Sequence, residues 1–574
     1  MTQTDDSALD THPASPAARL AWIVLILATL YLCYFHNLGA IGFVGPDEPR
    51  YAWIARDMVE TGDWVTPRLY GRPWFEKPVL YYWGATLGFK LFGVSEVAAR
   101  LPSALSALLA TLAMAWLAWH VYGAETARWL LLLLPTTVGM IGFSHAAGPD
   151  MPFAAALTAA MVCAAGLLGL VPAPSSTSFT PSISFTSFLF GFFLGLTVLA
   201  KGPAAFILSG GAVLLWAIFT KRWRDAFRCL HPIGIASFCL TALPWYILCA
   251  RRNPDFFRIF IIEHNFKRYL TPEFQHIQPF WYYIPILLMA FAPWTLVLFW
   301  SSLYGAFRYL PERRPSPTTI LLFCWCTFCF VFFSISKSKL PGYVLPALPA
   351  IALLLARTYV HLVPRDEKLF RRLHFAIAIT IALFSGLWLI GTGPTFQPSR
   401  TNRQFLTSIA WTLFLFALAN LLLTYRRKGL GKPKSVTSFC VVPVLVLVYL
   451  FPQISAALFH YDPSGKTLAR ELREKQIPLD QLYTARMRRG EEFSLNFYLH
   501  REVKTWRKED PREGYLLIPS RFCGSLVSLP WICSDNPVTL ESSGWSVYRV
   551  ERSGSAGGLG GSGGGGSDAG RQPR

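Results

Sequence analysis

Residues 97–121 read VAARLPSALSALLATLAMAWLAWHV, 25 residues with one charged side chain, Arg100. A bilayer core about 30 Å thick takes roughly 20 apolar residues in a helix, so this stretch is long enough to cross one. Runs of the same kind recur near 20–38, 126–143, 151–172, 185–200, 203–220, 229–250, 281–306, 318–335, 342–362, 373–392, 405–425 and 436–458. The expectation is an α-helical polytopic membrane protein with about 13 spans. The first run reads as a span rather than a cleaved leader, because no small-residue cleavage site follows it.

Composition agrees. Of 574 residues, 53% are hydrophobic and 15% charged, where a soluble domain carries about 25% charged residues. Disorder needs low hydrophobicity and is excluded for most of the length. The net charge is +20, but the apolar content leaves little soluble face on which to bind nucleic acid. Four loops hold 17 Lys and Arg between them: Lys221 to Arg228, Arg308 to Arg314, Arg357 to Arg372 and Arg426 to Lys434. A 13-span count puts all four on one side, which the positive-inside rule makes the cytoplasm, together with the N-terminus. Most of the excess charge is thereby a topology signal. The segment 39–96, the turns near 144–150, 201 and 336–341, the loop 251–280 and the tail after 459 face the other compartment.

The tail changes character. Residues 463–476 read as a helix, and 481–487, 514–519 and 545–550 as strands. Residues 460–552 are expected to be a small α/β domain outside the membrane, behind a membrane domain of residues 1–459, with 553–574 a flexible Gly/Ser-rich end. Nine of the 11 Cys lie in or beside apolar runs, where Cys behaves as a small hydrophobe. Cys324, Cys326 and Cys329 lack His partners and read as core rather than a zinc site. Cys523 and Cys533 are either a disulfide or two free thiols; an oxidising compartment favours the bridge.

The outer loops hold the chemistry. Residues 42–83 read GFVGPDEPRYAWIARDMVETGDWVTPRLYGRPWFEKPVLYYW. Tyr51, Ile54, Ala55, Met58 and Val59 form one face of a helix over 48–61 that suits the membrane surface, and Gly62 ends it. Asp47 and Glu48 open that helix. N-capping and a favourable dipole account for them, and so does a catalytic carboxylate at Asp47. Glu76 and Lys77 follow; a Lys at a membrane edge often snorkels, but Lys77 with Arg50 nearby suits a lipid phosphate. Asp150 is either another N-cap or a second carboxylate, and Lys201 either snorkels or joins the site. His264 and Arg268, four residues apart, can face one phosphate. Lys337 and Lys339, beside Tyr343, run against the positive-inside trend, for which a bound anion is a reason. Polar groups gathered at the outer surface suit group transfer from a lipid phosphate better than carriage of a soluble molecule, whose polar groups would sit mid-bilayer. A flippase for lipid-linked precursors, the alternative from another class, would need charges deep in the spans, and these hold almost none. A third reading is a non-enzymatic envelope scaffold whose working part is the outer domain of residues 460–552.

The series DEPRYA, GDW and FEKP, then FGVSEVAARLPSAL, HAAGPDMP, VLAKGP, EHNFKRY and SKSKLPGYVLP, resembles the lipid-linked-sugar transferases of the aminoarabinose transferase and protein O-mannosyltransferase group, closer to the bacterial aminoarabinose branch. The likeness covers about residues 20–350. It implies the C-type glycosyltransferase fold in a bacterial inner membrane, with the C-terminal domain periplasmic. It implies an inverting transfer, without cofactor or metal, from a polyprenyl-phosphate sugar to a glycolipid such as lipid A, a polysaccharide or a protein. Asp47 matches the acceptor-side acid and Asp150 the second acidic position; Lys77 matches the lysine on the lipid phosphate. Arg50, Arg268 and Tyr343 match phosphate or active-site contacts, Lys201 a nearby lysine, and Glu76 would orient Lys77. Glu48, His264 and Lys339 are supporting candidates.

Overall fold

The computed structural model describes residues 15–172, 182–271, 277–296, 315–362, 434–450, 464–506, 514–520 and 538–550, with single residues and short helical pieces elsewhere between 363 and 462. The chain divides into two compact units, 1–460 and 461–574.

In the first unit, seven helices among the described residues are long and apolar enough to cross a membrane. There are up to eight if Ala124–Leu133 and Val138–Ser144, which meet at 64°, form one bent span. Ala204–Thr220 is a shorter apolar helix. The expected runs near 373–392 and most of 405–425 lie outside the described residues. The early helices are α1 (Pro16–Tyr34), α2 (Glu48–Thr61), α3 (Leu80–Phe92), α4 (Glu96–Tyr122), α5 (Ala124–Leu133), α6 (Val138–Ser144), α7 (Asp150–Leu167), α8 (Ile183–Lys201) and α9 (Ala204–Thr220).

α7 is the most enclosed candidate span. Its sequence, DMPFAAALTAAMVCAAGL, is apolar and mostly small all round. That composition suits a helix with neighbours on every side, because in lipid close backbone approach replaces the hydrophobic effect as the packing force. α4, which packs against it, is rich in small residues, and Ala99, Ser103, Ala107, Ala110 and Thr111 are all buried. The α3–α4 hairpin closes even tighter, since a Cβ on Gly88 would stand 2.6 Å from the Ala98 carbonyl.

α2 forms where its pattern predicts. Tyr51, Ile54, Ala55 and Met58 are buried, Val59 is only partly buried, and Gly62 ends the helix at φ 70°. A two-residue hairpin follows, β1 (Arg68–Leu69) against β2 (Arg72–Pro73), and returns the chain to Glu76.

Among its described residues the second unit has a five-stranded sheet in the order β4-β3-β5-β7-β6, from β3 (Leu482–Thr484), β4 (Lys504–Thr505), β5 (Gly514–Pro519), β6 (Val538–Leu540) and β7 (Trp545–Val550). β3 is parallel to β4 and β5; β7 is antiparallel to β5 and β6. Leu468 and Leu472 of the helix Gly465–Glu474 and Leu495 and Leu499 of the helix Arg489–Leu499 pack with Leu517, Leu540 and Val547. The sequence reading made 481–487 one strand. Only Leu482–Thr484 pairs, because Arg486 turns to φ 57° and the chain enters the second helix. Cys523 and Cys533 lie outside the described residues.

A Gly88→Val variant forces the α3–α4 hairpin apart, and overpacking of this kind costs about 1–3 kcal/mol. A thermal melt of the purified protein in detergent is expected to fall by several degrees against wild type.

Candidate functional site

Asp47 ends the turn before α2. Its expected N-cap bond is not made: its backbone is already helical at φ −89°, ψ −50°, and the carboxylate turns instead to the Arg50 guanidinium at 2.5 Å. That carboxylate is 58% exposed, while Arg50 is 5% exposed. Arg50 reaches on to Glu76 at 3.0 Å.

Glu76 is the hub. It also meets Lys77 at 3.5 Å and Arg268 at 3.4 Å, with its own side chain 12% exposed. Burial alone would raise the Glu76 carboxyl; Lys77, Arg50 and Arg268 outweigh it and hold the group well below the usual carboxylate range. Burial likewise pushes the Lys77 ammonium down to about 8, with Arg268 and Lys201 adding to the effect and Glu76 opposing it. The expected role of Glu76, to orient Lys77, is thus part of a wider one, since it holds three cations from three parts of the chain.

Arg268 arrives on an unusual element. Residues Arg258–Lys267 form a π-helix, a wide coil often found at functional sites, and Arg268 opens the α-turn after it. His264 lies within the π-segment and its charge is felt at Glu76; burial pushes its pKa below the usual value. The segment packs over the end of α8, where Gly202 at φ 86° leaves room for Phe260, 2.7 Å from where a Cβ would be.

Asp150 is the first residue of α7 and also makes no capping bond. It is ion-paired with Lys201 at the end of α8. The Lys201 ammonium lies 5.2 Å from the centre of the Tyr343 ring, and the Tyr343 hydroxyl is hydrogen-bonded to Arg268. A Cβ on Gly342 would overlap the Asp150 carboxylate, so the Gly-Tyr pair is what lets this strip pass. One connected cluster thus joins Asp47, Arg50, Glu76, Lys77, Arg268, Tyr343, Lys201 and Asp150.

Two candidates stand apart. Lys339 donates to the carbonyls of Gln278 and Ser336, so its ammonium pins two loops together rather than facing the cluster, which corrects the reason offered for its position. Glu48 is not merely favoured by a helix dipole. It takes a two-pronged ion pair from Arg100, Nε to Oε1 at 3.0 Å and Nη2 to Oε2 at 2.9 Å, and accepts the N–H groups of Val44 and Ala147. Arg100 also donates to the carbonyls of Leu38, Ile41 and Gly42. This pair ties the end of the first span, the start of α2 and the turn before Asp150 to α4, beside Asp47 but not in the cluster. Sequence reasoning missed Arg100 as a functional residue, although a lone charge in an apolar run was its signal.

Chemically, the cluster can bind an anion. Four cations face three carboxylates in it, and the donors are of the kind that grip phosphate oxygens. An exposed carboxylate at its rim can take a proton from a group that arrives from solvent.

The sequence profile described as dolichyl-phosphate-mannose-protein mannosyltransferase matches residues 20–260. An undecaprenyl phosphate-alpha-4-amino-4-deoxy-L-arabinose arabinosyl transferase of Edwardsiella ictaluri is 33% identical over 381 residues, 64% of this chain and 67% of that one. Its counterpart in Enterobacter sp. is 32% identical over 399 residues, 68% and 70% of the two chains. Among solved structures, the crystal structure of ArnT from Cupriavidus metallidurans bound to undecaprenyl phosphate has the same fold: TM-score 0.72 at 22% identity, over 94% of this chain and 100% of that one.

Removing Arg100 leaves Glu48 buried without its partner, a loss that costs about 3–5 kcal/mol. Arg100→Ala is expected to fail to accumulate or to melt far below wild type, and Arg100→Lys to melt in between, as read by size-exclusion and thermal melts.

Proposed function

The chain belongs to the aminoarabinose-transferase family of C-type glycosyltransferases, and from that premise we propose that it transfers a sugar from a polyprenyl-phosphate donor, of the undecaprenyl-phosphate kind, to lipid A or a similar envelope acceptor at the periplasmic face of the inner membrane. The observation that carries this reading is the Glu76-centred cluster, with cations gathered inside and an exposed carboxylate at the rim. The sugar named in the relatives, 4-amino-4-deoxy-L-arabinose, is the first to test.

The reaction is a displacement. The acceptor hydroxyl attacks the anomeric carbon, the bond from that carbon to the phosphate oxygen breaks, and the electron pair leaves with the phosphate. Inversion follows from attack opposite the leaving group. Lys77, Arg268 and Arg50 bind the phosphate and meet the charge that grows on it, while Tyr343 donates a further hydrogen bond. Preset donors at a developing charge are a large source of rate. Asp47 takes the hydroxyl proton. Asp150 and Lys201 hold each other and fix Tyr343 and Arg268 on the far side. The N-terminus is cytoplasmic and the C-terminal unit periplasmic in this arrangement, which is what the basic loops support. The mannosyltransferase profile favours a second reading of the acceptor, a protein hydroxyl.

The purified protein, given undecaprenyl-phosphate aminoarabinose and lipid A, is expected to add the sugar mass to lipid A in a mass spectrum. Addition to envelope protein instead would select the second acceptor, and no transfer to either would refute the proposal. Asp47→Asn is expected to slow transfer about 10²–10⁴-fold with expression intact. Lys77→Ala is expected to slow it about 10²–10³-fold; full activity in both would sink the site assignment.

Lys77 also predicts a pH dependence. Its ammonium is lost as pH rises through about 8, and with it a charge that holds the phosphate. Affinity for undecaprenyl phosphate is therefore expected to be highest below that value and to weaken above it. A Lys77→Arg variant, whose charge does not titrate in this range, is expected to show a flat profile by calorimetry.

A further inference from the structure

α3 begins with three residues of which two, Tyr81 and Tyr82, are 1% exposed. They are treated differently. The Tyr81 hydroxyl donates to the Ala99 carbonyl at 2.9 Å, a bond between neighbouring helices. The Tyr82 hydroxyl is buried with no hydrogen-bond partner among the described residues. The same holds for the Trp74 indole N–H, two residues before Glu76. Leaving one such buried group unmatched costs about 1–3 kcal/mol, so two of them beside the cluster ask for an explanation.

Both side chains belong to the cluster's rim. The Arg50 guanidinium lies 5.4 Å from the centre of the Trp74 ring. The Tyr82 ring is 6.0 Å from that of Tyr51, the neighbour of Arg50. The charged groups felt at Tyr82 are Glu76, Arg50 and Asp47, and burial first, then those carboxylates, raises its pKa, so it stays a protonated donor. The Tyr82 ring packs on Tyr51, whose centre lies 5.3 Å from the Arg50 guanidinium that links Asp47 to Glu76.

We propose that the Tyr82 hydroxyl and the Trp74 indole N–H donate hydrogen bonds to oxygen atoms of the transferred sugar, and thereby set which sugar the enzyme accepts. This rests on the transferase reading above. An indole N–H only donates, so its partner is an acceptor oxygen and not a cation. In the proposed reaction the sugar is what spans the distance from the phosphate at Lys77 and Arg268 to the hydroxyl at Asp47. Its ring and hydroxyl oxygens are the acceptors that pass this place. Neither donor is open to solvent in the structure, so contact needs a small shift of the side chains around them. Arg50, paired to both carboxylates, is the one that a phosphate attracts. A site built to bond a sugar oxygen rejects analogues that lack it, because the donor is then left unmatched.

The test uses the full-length protein in nanodiscs with three measurements on wild type, Tyr82→Phe, Trp74→Phe and Tyr81→Phe. These are binding of undecaprenyl phosphate, transfer from its sugar-bearing form, and transfer from donors that lack single sugar hydroxyls. Tyr82→Phe and Trp74→Phe are expected to bind undecaprenyl phosphate as wild type does, to lose about tenfold in kcat/KM, and to lose wild-type discrimination against one deoxy donor. Tyr81→Phe is expected to lower the melting temperature and keep that discrimination. The proposal is overturned if the Tyr82 and Trp74 variants discriminate as wild type does, whatever their melting temperatures. If wild type neither binds undecaprenyl phosphate nor transfers sugar, the underlying reading fails first, and this inference falls with it.

Discussion

Glu76 is the one charge that the candidate site cannot lose. Four cations in a half-buried space would repel one another and pay heavily for lost solvation. A carboxylate between Arg50, Lys77 and Arg268 makes their company tolerable, and it draws on segments almost 220 residues apart in sequence, from Arg50 in α2 to Arg268 after the π-segment. The carboxylate does not cancel the site. Four cations still face three carboxylates, and Lys77, held near the edge of its titration, is the group that gains most from an incoming anion.

The scaffold that presents the cluster is built by close approach rather than by bulk. α7 reads DMPFAAALTAAM and α4 is rich in small residues, so their backbones come near and bring Asp150 close to the loop that holds Asp47. The Glu48–Arg100 pair then fixes that loop with five donated hydrogen bonds from one guanidinium. Two adjacent acids thus divide their tasks. Glu48 turns inward and holds the turn; Asp47 stays at the surface, where an incoming group can meet it.

Much of this was legible in the sequence, for physical reasons. Apolar length marks a candidate span, and seven or eight of the expected runs are such helices among the described residues; the period of Tyr51, Ile54, Ala55 and Met58 marks the buried face of a helix that stands where the pattern puts it. DEPRY, FEKP and EHNFKRY supply Arg50, Lys77 and Arg268, which the fold brings together around Glu76. What the sequence does not carry is who pairs with whom. Nothing in Asp150 says that Lys201 is its partner, and nothing in Lys339 says that its ammonium goes to two carbonyls. Short strands are similarly silent: Lys504–Thr505 forms one only because Leu482–Thr484 is beside it. The helix Arg489–Leu499 is masked by its Phe and Tyr, which suit a strand equally well.

Arg50 spans the gap between the rim carboxylate and the hub, with one nitrogen on Asp47 and another on Glu76. That shared guanidinium makes the two ends of the site thermodynamically linked. A proton arriving on Asp47 removes the partner that holds Arg50 outward and frees its charge for the inner end. A phosphate arriving at the inner end draws Arg50 inward and away from Asp47. The two events favour each other by the same free energy whichever comes first, so a single side chain can keep bond formation on one side of a sugar in step with bond breaking on the other.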